Sequence, residues 1–116
     1  MSKTDIISKE QIADELVDLL DSRFFKSLSE PVRVQILKYL LINGRSDIAA
    51  IADSMPQDRS VISRHLNLMQ EAGILTGEKV SRHMYYSIDA SEFLEKVEGI
   101  ARKVRSSMTV CCPGCC

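Results

Sequence analysis

Apolar residues recur at steps of three and four along most of the chain, which is the spacing of amphipathic helices. In the segment 58–75 the positions predicted to face a core are Val61, Ile62, Leu66 and Met69. The opposite side of this helix is polar and cationic, and it consists of Arg59, Ser60, Ser63, Arg64 and Asn67. Asp58 as an N-cap and Gly73 as a C-terminal glycine predict where the helix begins and ends.

Four further helices are predicted around this one. The first follows an apolar stripe from Ile12 to Leu28, and the second begins after Ser29 with Pro31 in its first turn and ends at Gly44. A short third helix opens at Ser46 or Asp47 and closes before Pro56. The last helix starts after Asp89 and carries apolar residues from Phe93 to Met108.

The period changes to alternation after Gly73, which predicts two antiparallel strands with a turn around 80–82. The third helix and the polar-faced helix then form a helix-turn-helix, and the hairpin forms a wing. Lys79 and Arg82, near the tip with His83, are expected to reach DNA phosphates or the minor groove, although Glu78 weakens the local positive field. The predicted fold class is mainly α with a small β-hairpin, a winged helix-turn-helix.

Composition adds limits on size, location and charge. The chain has 116 residues, fits one domain, and shows neither a signal-peptide core nor an apolar run that could span a membrane, so we expect a cytoplasmic protein. The net charge is −1, but residues 1–30 carry seven acids and four bases, net −3, whereas residues 31–116 carry nine acids and eleven bases, net +2. Any DNA surface must therefore be local, away from the acidic first helix.

The last helix is too apolar to be covered by one neighbour. The first helix of the same chain can cover part of its stripe, and a second protomer in a two-fold arrangement would cover the remainder. We therefore predict a DNA-binding and dimerisation domain over residues 1–108, with a homodimer through the first and last helices, and a cysteine-rich tail over residues 109–116.

The order of several motifs resembles the ArsR/SmtB family of winged-helix repressors. The matching segments are FKSLSEPVRVQIL at 25–37, SRHL at 63–66, the EAGIL ending of 68–75, and SRHMYY at 81–86. The resemblance implies a homodimer that binds an imperfect inverted repeat in double-stranded operator DNA and releases it when an inducer binds. It assigns DNA contact to Ser63 and Arg64, then to Arg59, Ser60 and Asn67, and gives Arg82 the wing role; His65 is read as structural.

The inducer sites of the family do not transfer to this sequence. One familiar site uses a CxC-type cysteine pair on the third helix, but the segment 46–54 reads SDIAAIADS and holds no thiol. Another uses Asp and His ligands on the last helix, and 100–108 contains neither residue.

All four cysteines instead lie in the last six residues, as Cys111, Cys112, Cys115 and Cys116 around a Pro-Gly turn. Soft thiolates select thiophilic ions, and three of them suit trigonal As(III) or Sb(III), whereas four could suit Zn(II), Cd(II) or Cu(I). We favour As(III) as the inducer, with Sb(III), Cd(II) and Zn(II) behind it.

Several alternatives stay open for this tail. The run CCPGCC is identical to the tetracysteine motif used to attach biarsenical dyes, so it could be an engineered label. It could also be a redox-sensitive cluster that makes the repressor respond to oxidation, or a frayed end without a role. A metal buffer or a thiol enzyme is the least favoured reading, because no histidine, carboxylate pair or glycine-rich loop accompanies the thiols.

Overall fold

The protein, described here by a computed structural model, is defined over residues 3–112 and at Gly114, with side chains described from Lys9 onward. Over that part of the chain it has six helices and one three-stranded antiparallel sheet. The elements are α1 Lys3–Leu20, α2 Arg23–Leu28, α3 Pro31–Asn43, β1 Ser46–Asp47, α4 Ile48–Asp53, α5 Arg59–Glu71, β2 Leu75–Val80, β3 His83–Ile88 and α6 Ala90–Cys111. The predicted helices and hairpin are confirmed, with two differences.

The first difference is that the predicted first helix is divided in two. α1 ends at Leu20, and Ser22 then caps α2 by accepting a hydrogen bond from the Phe25 N–H at 3.4 Å. The break directs Phe24 into the core, where its ring meets that of Phe93 edge-on at 5.4 Å between centroids. Ser29, predicted to begin the next helix, instead ends α2 through a hydroxyl bond to the Lys26 carbonyl.

The second difference is a third strand. Residues 46–47 form β1, which pairs with β3 in the register Ser46↔Tyr86 and Asp47↔Tyr85, so the strand order is β1-β3-β2. Two residues are too few to show an alternating pattern, so the sequence predicted only the start of a helix at this position. Asp47 does serve that purpose as well, because its carboxylate accepts a hydrogen bond from the Ala50 N–H at 2.9 Å.

The hydrophobic core lies between α2, α3, α4, α5 and the sheet. Its apolar members from α3 to α5 that lose all solvent contact are Ile36, Ile51, Ile62, Leu66 and Met69. α1 and α6 pack along one another beside this core, joined by an ion pair between Glu15 and Lys103. α6 continues through residue 108 to Cys111, so the first cysteine of the tail is helical. Within the described residues, every helix is too short or too polar to cross a membrane.

Candidate nucleic-acid interface

Helix α5 separates its apolar and polar residues as the sequence predicts. Ile62, Leu66 and Met69 are completely buried, because they face α3, α4 and the first strand of the wing. The solvent side is held in place by this anchoring, and its members are Arg59, Ser60, Arg64 and Asn67, all exposed, and Ser63, half-buried. Rigid anchoring of a polar face is what a base-reading helix requires, since contacts in the major groove depend on side-chain position.

Both ends of α5 are defined by backbone geometry. Asp58 occupies the N-cap position in an extended conformation but makes no side-chain capping bond. At the other end Gly73 adopts φ +80°, a left-handed conformation that L side chains rarely adopt, and the chain then enters β2. A Cβ atom at this position would lie 2.8 Å from Cε of Lys96 on α6. Gly73 is therefore required for the turn, and any larger residue would also have to displace the side chains of Lys96 and Glu92 on α6.

The first turns of α5 and the wing enclose a groove with a volume of about 490 Å³. Four of the seven predicted DNA-contact residues line it together: Arg59, Ser60, Ser63 and Arg82. Asp47, Ile48 and Ala49 supply the opposite wall from β1 and α4, and His83 and Met84 add to the wing side. Two guanidinium groups and two hydroxyls on one concave surface are suited to phosphate oxygens and base edges.

The other three predicted contact residues lie outside this groove. Arg64 and Asn67 are exposed on α5, one and four residues beyond Ser63. Lys79 is exposed on β2, where it is paired with Met84, and the strands then join through Ser81, which has φ +57°, and Arg82. The seven residues thus extend from the wing tip along the solvent side of α5.

Arg45 is a cation at the wing that sequence reasoning missed. Its guanidinium lies 3.2 Å from the Glu78 carboxylate and 4.8 Å from the centroid of the Tyr85 ring. Because Glu78 is paired with Arg45, it opposes the positive field of the wing less than the sequence suggested. No local pattern in the sequence signalled Arg45, because its place at the wing depends on the pairing of residues 46–47 with β3.

His65 is structural, as predicted, and its role is to connect two helices. Its Nδ1 accepts a hydrogen bond from Nε of Arg33 on α3 at 3.1 Å. Burial lowers the pKa of His65, and the charges of Arg33 and Arg64 lower it further, against the opposing effect of Glu30. A neutral imidazole is the form that can accept this hydrogen bond, so the low pKa and the geometry agree.

The tail begins beside the first helix. Cys111 is exposed, has a free thiol, and lies with its Sγ 3.8 Å from the Lys9 carbonyl oxygen of α1. Cys112 ends α6, whereas the predicted ligands Cys115 and Cys116 lie outside the described residues. Among the described residues, no group of three or more His, Cys, Asp or Glu side chains is arranged to hold a metal ion.

Comparison with known sequences identifies a family. Residues 30–76, from the residue before α3 to the start of the wing, match the family model described as "Bacterial regulatory protein, arsR family". An uncharacterized HTH-type transcriptional regulator of Methanocaldococcus jannaschii is 35% identical over 69 residues, which cover 59% of this chain and 78% of that protein. The match therefore includes most of the relative.

Solved structures agree with this assignment. A crystal structure described as a "possible transcriptional regulator for arsenical resistance" is 28% identical, covers 70% of this chain and 82% of its own, and superposes with a TM-score of 0.62. The homodimeric winged helix-turn-helix domain of a Mycobacterium bovis protein is 21% identical, covers 84% and 88% of the two chains, and gives a TM-score of 0.61. The second similarity is one of fold.

Proposed function

Because this chain belongs to the ArsR family of bacterial regulatory proteins, we propose that it is a homodimeric repressor that reads an operator with α5 and the wing. The coarse activity, transcriptional regulation through a helix-turn-helix, follows from the family. The proposal adds the residues that contact DNA, the two-fold assembly, repression of an imperfect inverted repeat, and the inducer.

One observation carries the DNA-contact assignment: the groove that unites Arg59, Ser60 and Ser63 of α5 with Arg82 of the wing. Its position lets α5 enter a major groove while the wing follows the adjacent backbone. Arg64 and Asn67 are exposed on the same helix, and we assign them contacts with bases beyond those reached by the first turn. Lys79 extends the contact to phosphates along the wing.

A homodimer through α1 and α6 is supported by apolar side chains that this chain leaves exposed on both helices. They are Val17 and Leu20 on α1, and Leu94, Val97, Met108 and Val110 on α6. In a two-fold dimer that covers these residues, the two α5 helices would enter successive major grooves about 34 Å apart. An inverted repeat with that spacing is the expected operator.

The DNA assignment is tested by selecting a binding duplex from a random-sequence pool and measuring its affinity for variants by fluorescence anisotropy. Arg64→Ala should weaken binding about tenfold or more, as expected for loss of an arginine contact to a base edge. Arg102→Ala, an exposed arginine of α6, is the matched control and should bind like the wild type. Unchanged binding by Arg64→Ala would contradict the role of this face.

For the inducer we propose As(III) bound by thiolates of the reduced tail, with Cys111 and Cys112 at the end of α6 and Cys115 and Cys116 beyond it. The proposal is supported by the exposed Cys111 thiol, which lies beside Lys9 where α6 meets α1. Binding an ion there would pull on both helices of the proposed dimer interface. A coupling of about 1–3 kcal/mol between the tail and the DNA-bound state would be enough to weaken the operator complex.

Arsenite should therefore release the selected duplex from the reduced protein, and serine replacement of Cys111 and Cys112 should abolish the release. Replacement of Cys115 and Cys116 would show whether the second pair contributes. Unchanged affinity on adding arsenite would overturn the arsenic assignment. Release by peroxide that a reductant reverses would instead favour the oxidation-responsive repressor.

A further inference from the structure

A second cavity, of about 260 Å³, lies where α2, α3 and the C-terminal half of α5 meet. Its lining is Arg23, Lys26 and Ser27 of α2, Arg33 of α3, and Leu68 and Glu71 of α5. None of these residues lines the groove between α5 and the wing, so the cavity is a separate feature. It brings three basic side chains to the flank of the helix assigned to DNA reading.

Ser27 gives this cavity a buried polar group that needs a partner. Its side chain is only 2% exposed, and its Oγ makes no hydrogen bond within the described part of the chain. Buried hydroxyls are nearly always hydrogen-bonded, because a hydroxyl that leaves water without gaining another partner carries an uncompensated cost in free energy. A ligand oxygen in the cavity would provide that partner.

Arg33 is held in place by α5. Its Nε donates to Nδ1 of His65 at 3.1 Å, which fixes the guanidinium plane while the two terminal amino groups take no part in that bond. Among the residues described, neither Arg33 nor Arg23 forms an ion pair with a carboxylate, whereas Lys26 is paired with Asp21 at 3.1 Å. A positioned guanidinium without an anionic partner is typical of sites for oxyanions.

The charges near the cavity leave a small positive excess. Arg23, Lys26 and Arg33 supply three positive charges, and Asp21 and Glu71 supply two negative charges. Glu71 opposes an anion, so binding depends on hydrogen-bond donors as much as on net charge. Two guanidinium groups and the Ser27 hydroxyl provide donors that match a tetrahedral group with several oxygens.

We propose that this cavity binds a phosphate group, supplied either by the backbone of operator DNA or by free phosphate. The Arg33–His65 bond connects the bound group to α5, so occupancy would hold α3 and the reading helix together. The DNA source rests on the proposed function, whereas the free-phosphate source does not. Two experiments distinguish these sources from each other.

The first experiment titrates inorganic phosphate into the full chain without DNA, at constant ionic strength set with chloride, and follows backbone amide resonances. A free-phosphate site predicts saturating shifts at Ser27 and Arg33, with apparent affinity lowered about tenfold by Arg23→Gln, the loss expected for one charged hydrogen bond. Ser27→Ala should also weaken binding, and it tests the hydroxyl without altering any charge. Arg102→Gln, on α6, should leave the titration unchanged.

The second experiment measures affinity for the selected duplex as a function of salt. If a DNA phosphate occupies the cavity, Arg23→Gln should reduce the slope of log affinity against log salt by about one, and weaken all sequences alike. Arg102→Gln should leave the slope as it is.

Saturable phosphate binding that depends on Arg23 and Ser27 supports the free source, and a changed salt slope supports the DNA source. Shifts spread over exposed basic residues together with an unchanged slope would overturn the proposal. Loss of DNA binding in Arg64→Ala alone would still support the proposed function. A wild-type protein that binds no duplex would refute that function. The phosphate titration alone would then test whether the cavity binds phosphate.

Discussion

The region from α2 to β3, residues 23–88, and the pair formed by α1 and α6 differ in how far each completes its own core. We call the first the reading head and the second the helical arm. Each apolar side chain recorded as buried belongs to the reading head, from Phe24 to Tyr86. In the arm, the only residue so recorded within the described residues is Ser107, while Leu94 and Val17 are 57% and 62% exposed.

The two regions therefore place different demands on their surroundings. The reading head is stabilised within one chain, so its polar surface can be kept for a ligand. The arm exposes apolar residues on both of its helices and, in the part of the chain that is described, buries none of its own, which is typical of a surface that another protein covers. We expect a second copy of the same arm to do so, because a two-fold contact brings identical apolar stripes together.

The largest expected effect comes from breaking the arm contact with Leu94→Glu. Burying a leucine side chain contributes about 1.5–3 kcal/mol, and the two-fold contact contains two copies, so dimerisation should weaken by about 3–6 kcal/mol, or roughly 10²–10⁴-fold. Sedimentation equilibrium measures the monomer–dimer constant directly. Operator affinity should fall in parallel, because one protomer reaches only one half-site.

Leu41→Glu is the matched control for that experiment. Leu41 is 70% exposed on α3, more than Leu94, but it lies in the reading head. The same change of residue there should leave the dimer intact. Equal loss of dimer from both variants would show that exposed apolar surface in general, and not the arm, mediates association.

The next largest effect is expected from shortening a buried side chain of the reading head. Ile62→Ala removes a completely buried side chain from the apolar face of α5, and such truncations cost about 2–5 kcal/mol. Leu68→Ala on the same helix, where the side chain is 38% exposed, should cost much less. Urea unfolding of both variants at one protein concentration measures the difference, and similar losses would contradict the description of α5 as anchored by one face.

The sequence predicted the long helices more accurately than the short breaks between them. Long stretches with a clear period, such as α5 and α6, were placed correctly because the apolar spacing agrees with an aspartate at each N-cap position, Asp58 and Asp89. The break after Leu20 was missed because the apolar stripe continues across it into Phe24. Periodicity predicts which residues face a core, but it does not predict where a short turn divides one helix into two and changes the direction of an apolar side chain.

The candidate site shows the same limit. Residues on one helix, such as Ser60 and Ser63, share a face by spacing alone, so their grouping could be predicted. The pairing of Arg45 with Glu78 and the bond from Arg33 to His65 join residues that are 33 and 32 positions apart. Contacts of that kind depend on how the elements pack, which no local pattern encodes.

A smaller effect tests the junction between head and arm at Gly73. Gly73→Ala should destabilise the protein by about 1–2 kcal/mol, because φ +80° disfavours a Cβ atom and that atom would approach Lys96 and Glu92 of α6. Gly73→Ala in a Lys96→Ala background separates the two causes, because the Cε atom nearest to the added Cβ is then absent. A smaller loss in that background in thermal unfolding would measure the contact with the arm, and equal losses would attribute the whole effect to backbone conformation.

The smallest effect concerns the link between α3 and α5 and its dependence on pH. The folded pKa of His65 lies below its ordinary value of 6.5, so the unfolded chain takes up a proton first as the pH falls. The contribution of this histidine to stability is therefore present in full above pH 6.5 and decreases as the pH drops through that value toward the folded pKa. His65→Gln can keep an acceptor for Arg33 without titrating, so the stability of the variant should lose this component of the pH dependence. Denaturant unfolding between neutral and mildly acidic pH measures the difference, and parallel profiles for the two proteins would mean that His65 takes no part in it.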